Sequence, residues 1–392
     1  MSRFFEAPNS RDALYTTFEM FTAVLSCHQV MPDFLDFVFP FGESEYAQDF
    51  HFSGFRAENQ FSKDPGAERA LAVPTLGRSG RQFQMCFNLR SVEPVTYDSR
   101  RPWSIRQVAV YHSFDVETGR TVWIFVKGNG LIRDRIRSAL ANSSKTEKND
   151  IASFDSVTAA FASSLSVHIM LCEWARENWR WYINFLEEYF QRHTRRSLHA
   201  TVDNEVRPTT EIAAAPTRSH TTPLPAVKRQ GTMATIGRSQ LTKIKRALSF
   251  KPSSSTPVNP VPLQTVPRAS VSNLSDEKEF SFEKLQLVQK LEENATETLL
   301  VLKTNMDVLT ELKDCYVRFQ KSESWPDELK GQTKDRFIRF ETRVSSAISE
   351  INMEKSRLET LVRHISDRKN LVSTRKSVSC SMTDTIEVDR YT

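Results

Sequence analysis

Glycine and paired cysteines are scarce in this sequence, and each shortage excludes a class of protein. Only 11 of the 392 residues are glycine, which argues against a glycine-rich nucleotide-binding fold. The five cysteines lie far apart, and no two of them form a C-x-x-C pair, so a clustered-thiol metal or redox site is not indicated. Because the first residues lack the basic and apolar segments of a secretory signal, we expect reduced thiols in a cytoplasmic protein.

Recognised catalytic motifs are missing as well. The sequence contains no G-x-S-x-G, H-E-x-x-H or G-x-x-x-x-G-K-[ST] pattern, which are the signatures of large enzyme classes. The segment 127–130, Lys-Gly-Asn-Gly, is interpreted as a strand-to-helix turn because it lacks the rest of a phosphate-binding loop. His112 lies near Asp115, but a hydrogen-bonded histidine of the sheet is preferred over a general base. We therefore expect no enzyme and assign no catalytic or cofactor-binding residue.

Long apolar runs are also absent. The best candidate for a membrane span is 157–172, whose sixteen residues carry no formal charge but include three Ser, one Thr and one His. A spanning helix needs about 20 predominantly apolar residues. We predict a buried core helix at this position and no integral span.

What the sequence does contain begins with two apolar runs around a polar turn. Residues 106–115 alternate in part between two sides, and residues 121–127 are almost continuously apolar and rich in β-branched and aromatic side chains. The second pattern is typical of a central strand buried on both faces. With turn residues from Asp115 to Gly119 between them, the runs predict a β-hairpin. Residues 81–90 alternate with a period of two, which predicts a third, half-buried strand.

The rest of the first two hundred residues predicts helices and loops. Residues 1–20 are expected to be a polar entry, and Phe34–Phe41 is interpreted as a short helix or strand. Apolar spacing predicts one helix over 131–140 and another over 156–193. Four aromatic residues of the second helix are interpreted as a stripe packed on the sheet rather than as the aromatic belt of a membrane helix: Trp174, Trp181, Phe185 and Tyr189.

The composition changes at residue 201. Residues 201–275 hold nine of the 17 prolines, many Ser and Thr, and no Trp or Tyr, which is typical of a disordered linker. Ten basic and three acidic residues give this stretch a net charge of +7, against +5 for the whole chain. The linker therefore holds all of the excess positive charge, and the flanking regions are together slightly acidic.

One segment of the linker, 236–250, combines helical apolar spacing with positive charge. It is interpreted either as a basic amphipathic helix on an anionic membrane surface or acidic partner, or as a solvated basic linker, which we prefer. The candidate surface residues are Leu241, Lys243, Ile244, Lys245, Arg246 and Leu248. Ser197 and Ser249 follow arginines, as basophilic kinases require, and phosphorylation would weaken the local charge. Nucleic acid is disfavoured because basic and aromatic residues are not interleaved, while a nuclear-import signal stays open.

Apolar residues recur every three or four positions in two further segments, from Leu285 to Phe319 and from Phe337 to Ile365. A polar break at 322–327 separates them. Two long helices with such seams and a modest connection predict an antiparallel helical hairpin or stalk-like coiled coil. The tail after residue 372 is polar and has no anchor motif.

Together these patterns predict an α+β protein. Its expected parts are an α/β domain with a mixed sheet flanked by helices at 1–200, a disordered basic linker at 201–275, a long antiparallel helical hairpin at 276–372 and a disordered tail at 373–392.

The hairpin region carries a family resemblance. Residues 103–124 read W-S-I-R-Q-V-A-V-Y-H-S-F-D-V-E-T-G-R-T-V-W-I, and this stretch resembles the fungal CorA-like transporter-domain proteins. Trp179, Tyr182, Leu186 and Glu187 and the run I-S-D-R-K-N-L at 365–371 are similar too, so the resemblance covers residues 5–195 and 278–372. It implies a cytosolic α/β domain followed by a stalk-like helix, in a superfamily of divalent-cation channels that assemble as rings. Mg²⁺ is the ion that it suggests, and no metal-binding residue can be carried over.

Two features of that superfamily are not found in this sequence. The superfamily's pore begins with a transmembrane helix that continues from the stalk and closes with a G-M-N motif. No apolar span follows Leu371, and Gly-Met-Asn does not occur. We therefore expect a pore-less CorA-like protein, cytoplasmic or peripheral at a membrane, acting as a homo-oligomer or with a membrane partner. The alternative is a non-enzymatic scaffold acting through the helical hairpin and the basic linker.

Overall fold

A five-stranded mixed sheet lies at the centre of the computed structural model, which describes residues 1–9, 12–43, 52–62, 71–95, 102–127, 129–142, 154–198 and 282–388. The strand order is β1-β5-β4-β3-β2. β1 lies parallel to β5, and the other neighbouring pairs are antiparallel, as predicted for a mixed sheet. The strands are β1 (Ser2–Glu6), β2 (Phe55–Gln60), β3 (Gln82–Pro94), β4 (Trp103–Asp115) and β5 (Thr121–Lys127).

The predicted hairpin is confirmed as β4 and β5, and its turn is held by one side chain. The Asp115 carboxylate accepts hydrogen bonds from the backbone N–H groups of Glu117 and Thr118 at 3.0 and 2.9 Å. Gly119 has a φ of +71°, and a Cβ there would lie 2.8 Å from the Cα of Val157. Glycine is therefore required at this position by both the backbone angle and the close approach of a helix.

The two edge strands were not predicted. Residues 1–20, expected to be a polar entry, contain β1 and the start of helix α1 (Phe18–His28). β1 is short, and one of its edges pairs with β5, where Phe4 stacks on Phe125 with ring centroids 5.0 Å apart. β2 reads F-R-A-E-N-Q and is largely exposed, so it lacks the alternation of a half-buried strand. Polar, short edge strands are a common protection against sheet-to-sheet association.

Six helices cover one face of the sheet, named here the thick face. They are α3 (Leu131–Asn142), α4 (Val157–Arg176), α5 (Trp179–Leu198), α6 (Phe282–Lys321), α7 (Asp327–Gln332) and α8 (Lys334–Val388). Their buried side chains form one continuous core with those of the strands. Phe83 of β3, for example, lies 5.0 Å from Phe319 of α6 and 6.3 Å from Trp325, measured between ring centroids.

α6 and α8 form the predicted antiparallel hairpin. Tyr316 and Phe340 pack near the connection, with ring centroids 5.1 Å apart, while Lys369 and Glu292 form an ion pair near the other end. The apolar seam of this hairpin is packed against the sheet and α4, so residues Met1–Ala200 and Phe280–Thr392 belong to one compact unit. α8 continues to Val388, beyond the predicted end at residue 372, in a stretch that contains no Gly or Pro to stop a helix.

Side-chain amides complete the free edge of β3 beyond the end of β2. Asn305 of α6 accepts from the N–H of Arg90 at 3.0 Å and donates to its C=O at 2.7 Å. Asn178, between α4 and α5, donates to the C=O of Val92 at 2.9 Å. These amides take the place of a neighbouring strand, which satisfies backbone groups that burial would otherwise leave unpaired.

The predicted long helix over 156–193 is two helices. Asn178 has a φ of +65°, a left-handed conformation that ends α4 and lets α5 start in a new direction. The predicted aromatic stripe is wrong, because the helix breaks at Asn178 and Trp181 is 48 % exposed. The buried face of α5 instead consists of Trp179, Ile183, Leu186 and Phe190.

Two short helices cover the opposite face, named here the thin face. α1 and α2 (Phe34–Val38) enclose a smaller cluster that includes Phe34, Phe37 and Tyr111. The predicted short element at 34–41 is thus a helix. Several apolar side chains on this side face solvent, among them Phe18 at 79 %, Phe39 at 65 % and Met20 at 61 % exposure.

Candidate functional site

Two histidines form a buried polar chain where α4 crosses the thick face. His112 of β4 and His168 of α4 are both completely buried. His168 Nε2 lies 3.1 Å from His112 Nδ1, and His112 Nε2 lies 3.1 Å from Thr121 Oγ1. The Thr121 hydroxyl donates to the carbonyl of Ser113 at 3.3 Å. The preferred interpretation of His112, a hydrogen-bonded histidine of the sheet, is confirmed.

The donor and acceptor roles in this hydrogen-bonded chain follow from the environment of His168 Nδ1. His168 Nδ1 is buried and has no hydrogen-bond partner among the described residues. An unpaired buried N–H is rarer than an unpaired acceptor, so we place the proton of His168 on Nε2, from which it is donated to His112. His112 then donates from Nε2 to Thr121, and each proton of the chain has an acceptor.

Burial keeps both rings neutral. It lowers the pKa of His168 to about 3 and the pKa of His112 well below its ordinary value, with the nearby His168 adding to the effect. His112 also stacks on Trp123, with ring centroids 3.8 Å apart. A neutral, fully enclosed pair is suited to fixing the position of α4 on the sheet rather than to exchanging protons with a substrate.

A second polar cluster surrounds the buried ion pair of Glu93 and Lys127. Lys127 Nζ donates to Glu93 Oε1 and to Asn129 Oδ1, each at 2.8 Å. Asn129 Nδ2 donates to Glu93 Oε2 at 2.6 Å, and the indole N–H of Trp174 donates to Glu93 Oε1 at 3.0 Å. The ammonium also lies 5.1 Å from the centre of the Trp174 ring. Both carboxylate oxygens are therefore occupied within the protein.

The electrostatics of this cluster favour a closed ion pair. Burial acts to raise the pKa of Glu93, but the charge of Lys127 and the three hydrogen bonds hold it below its ordinary value. Burial lowers the pKa of Lys127, and Glu93 opposes that shift. Asn129 also accepts from the N–H of Leu131 at 3.2 Å, which caps α3. Lys127 ends β5 and Asn129 caps α3, which agrees with the predicted strand-to-helix turn.

The residues that the sequence proposed for partner binding fall almost entirely outside the described structure. Leu241, Lys243, Ile244, Lys245, Arg246, Leu248 and Ser249 all lie between α5 and α6, outside the described residues. Ser197 lies in the last turn of α5, and its side chain is likewise outside them.

The described residues contain no group of three or more His, Cys, Asp or Glu side chains that could hold a metal ion. By length and composition, one helical stretch among them, Val157–Thr194, is apolar enough to cross a membrane. Of its apolar 18-residue window, 67 % is buried inside the protein, and α4 within the stretch supplies part of the thick-face core. The predicted core helix is confirmed at this position.

A family model described as CorA-like transporters matches residues 2–198, half of the chain. The chain belongs to the CorA-like family. The match contains the whole sheet, the hairpin that carried the resemblance, and helices α1 to α5. No curated protein matches the chain. Membership of this family relates residues 2–198, called here the CorA-like unit, to divalent-cation transport and to membranes.

Sequence reasoning did not identify the cluster of Glu93, Lys127, Asn129 and Trp174 in the CorA-like unit. One signal was present: Lys127 ends a strand that is otherwise apolar, and a charge at a buried position requires a partner. Glu93 lies 34 positions earlier in the chain, and only the pairing of β3 with β4 and of β4 with β5 brings the two together.

Proposed function

We propose that this CorA-like protein is a cytosolic module of a divalent-cation transport system and does not itself form the ion path. The burial of α4 carries the proposal. α4 is part of the one stretch of the described residues that is apolar enough to cross a membrane, and thirteen of its twenty residues are buried against the sheet and the hairpin.

The cost of removing α4 from the core supports this. Its Trp174 is bonded to Glu93 of the buried ion pair, and its His168 to His112. Moving α4 into a bilayer would leave these polar groups without partners and would expose the aromatic residues of β3 and β4. Unpaired buried polar groups each cost about 1–3 kcal/mol, so the helix is better accommodated where it is.

Ion pairs further tie the long helix α8 to α4 and α5. Arg343 pairs with Glu173, Arg357 with Glu187, and Glu350 with Arg176. These contacts recur along α8, so the sheet and the long helix form one body. A body of this kind is suited to transmitting a structural change at the sheet to any partner that contacts α8. That partner would bind the part of α8 that extends beyond its packing against α6.

Two measurements on the purified full chain test the proposal. In liposomes that contain a Mg²⁺-sensitive dye, we expect no more Mg²⁺ entry than in protein-free liposomes, with an ionophore as the positive control. Entry that scales with the amount of protein would overturn the proposal. We expect alkaline carbonate to release the protein from membranes, as it does peripheral proteins; retention would count against a cytosolic module.

The mass of the protein in solution tests whether its assembly depends on the cation. A module that assembles as a ring with cations bound changes its mass when Mg²⁺ is added or chelated, as measured by light scattering after size-exclusion chromatography. A mass that does not respond to Mg²⁺ would favour the alternative of a scaffold with no connection to ion transport.

The scaffold alternative has one constraint from the fold. The apolar seam of the α6–α8 hairpin is already packed on the sheet, so another coiled coil would have to bind its outer side. The basic segment at 236–250 is the other proposed contact. If it binds anionic surfaces, its deletion reduces association with anionic liposomes, and unchanged association would remove the idea.

A further inference from the structure

A cavity of about 430 Å³ lies on the thick face between the β1–β5 edge, α3 and α4. Its wall is mainly apolar, formed in part by Phe4, Phe125, Ile136, Leu140 and Val167. The volume falls within the range of about 300–1,000 Å³ that is usual for small-molecule sites. His168, with its unpaired Nδ1, is not among the described lining residues of the cavity. Glu93 and Lys127 are not among them either.

One wall residue has an unused hydrogen-bond donor. Trp123 is 2 % exposed, and its indole N–H has no partner among the described residues. The ring is held between His112, at 3.8 Å, and Phe125, at 5.7 Å, measured between centroids, so it is not free to turn towards another acceptor. Buried N–H groups without an acceptor are rare in folded proteins. The nitrogen has almost no accessible surface, so a ligand in the cavity would contact the ring of Trp123 and not its N–H.

Among the described lining residues, the charged side chain is basic. Arg137 of α3 lines the cavity and forms no ion pair with any described residue. No Asp or Glu is among the described lining residues. An apolar chamber whose exposed side carries a guanidinium without an ion-pair partner among the described residues is complementary to a molecule with an apolar chain and an anionic head.

We propose that this cavity binds a single-chain amphiphile with an anionic headgroup. The acyl chain lies among Phe4, Phe125, Leu140 and their neighbours, and the headgroup is held by Arg137. A fatty-acid carboxylate and a lysophospholipid phosphate share this chemistry. The inference goes beyond the proposed transport-related function and does not depend on it.

The test uses the full chain and three ten-carbon probes below their micelle concentrations: decanoate, decanol and decylammonium. Isothermal titration calorimetry is expected to show saturable binding of decanoate, at least tenfold weaker binding of decanol, and none of decylammonium. Equal binding of decylammonium would mean non-specific detergent action and would overturn the proposal, as would absence of decanoate binding at millimolar concentration.

Variants locate the binding. Arg137→Gln is expected to weaken decanoate at least tenfold, whereas Arg192→Gln, an exposed arginine of α5, leaves it unchanged. Leu140→Trp fills the cavity at a residue that is 43 % exposed, so the fold is kept while binding is lost. Decanoate binding that survives Leu140→Trp, in protein with an unchanged melting curve, would refute the assignment.

A decyl lysophosphatidate identifies the source of the headgroup. Tighter binding than decanoate assigns the site to a phospholipid, and weaker binding assigns it to a fatty acid. Failure of both probes overturns the proposal. Because the liposome Mg²⁺ assay does not involve this cavity, failure here would leave the transport-related proposal standing.

Discussion

The two faces of the sheet differ in how completely the protein covers them. The thick face is covered by six of the described helices, three of which begin more than eighty residues after α5 ends, and it buries an ion pair and a histidine pair. The thin face has only α1 and α2 among the described helices, and it leaves Phe18, Met20 and Phe39 largely exposed. The comparison indicates that the thick face supplies most of the stability, while the thin face is the side that stays accessible.

The largest expected difference comes from equal truncations on the two faces. Phe340→Ala on α8 is expected to lower the free energy of unfolding by about 3–5 kcal/mol, and Phe37→Ala on α2 by an amount at or below the low end of that range, because a short surface helix relaxes more easily around a cavity. Both side chains are almost fully buried. Urea unfolding followed by circular dichroism measures both. Equal losses would remove the distinction between the faces.

The ion pair tests whether polar burial on the thick face is as important as apolar burial. Lys127→Met leaves Glu93 buried without its counter-charge, which is expected to cost about 3–5 kcal/mol. The double variant Lys127→Met, Glu93→Leu should recover part of the loss, because it removes the isolated charge. If Lys127→Met is as stable as the natural protein in urea, the pair is not buried in solution.

The loss of stability at low pH gives a further test, because buried histidines lie on both faces. The pKa of His168 is lowered to about 3 and that of His28 to about 4, so the unfolded chain takes up these protons first as the pH falls. Stability is therefore fully present above the unfolded pKa of about 6.5. Below it, each such histidine removes about 1.4 kcal/mol per pH unit until its folded pKa is reached.

The control for this pH dependence is His168→Phe, which keeps an aromatic ring in the same cluster. Its melting temperature should fall less steeply between pH 6.5 and 4 than that of the natural protein. A parallel pH profile would assign the acid sensitivity to other groups.

The smallest effect is expected on the thin face. Phe18→Ser removes a ring that is 79 % exposed, so its effect on the free energy of unfolding should lie within about 0.5 kcal/mol. Met20→Ser serves as a matched change on the same helix. A loss above 1 kcal/mol in either variant would show that α1 has a covered position in solution, contrary to the comparison.

The sequence predicted the elements whose burial repeats regularly. β5 is continuously apolar because both of its faces are covered, and the seams of α6 and α8 recur every three or four residues. The alternation of β3 predicted a half-buried strand, which is wrong: both of its faces are covered, and buried polar side chains such as Gln84 and Asn88 have hydrogen-bond partners. β2 was missed because an exposed edge strand has no burial pattern to read. The break at Asn178 was missed because one left-handed residue changes no periodicity.

The candidate site was less accessible to sequence reasoning than the fold. His112 was singled out, but its partner His168 lies 56 positions later on a helix, and only the crossing of α4 over the sheet brings them together. The same holds for Trp123 and Arg137, which border one cavity from a strand and a helix. Such pairings depend on packing between elements, which local patterns do not encode.

The dependence of the thick face on α6 and α8 has a consequence during synthesis. A ribosome completes the sheet and α5 at Leu198 but must add more than eighty residues before α6 begins at Phe282. At about 5–20 residues per second, the aromatic side of β3 and β4 waits for several seconds or longer without its cover. Chaperones that bind exposed aromatic surfaces have that interval in which to act, and a chain cut short at residue 198 would remain their client.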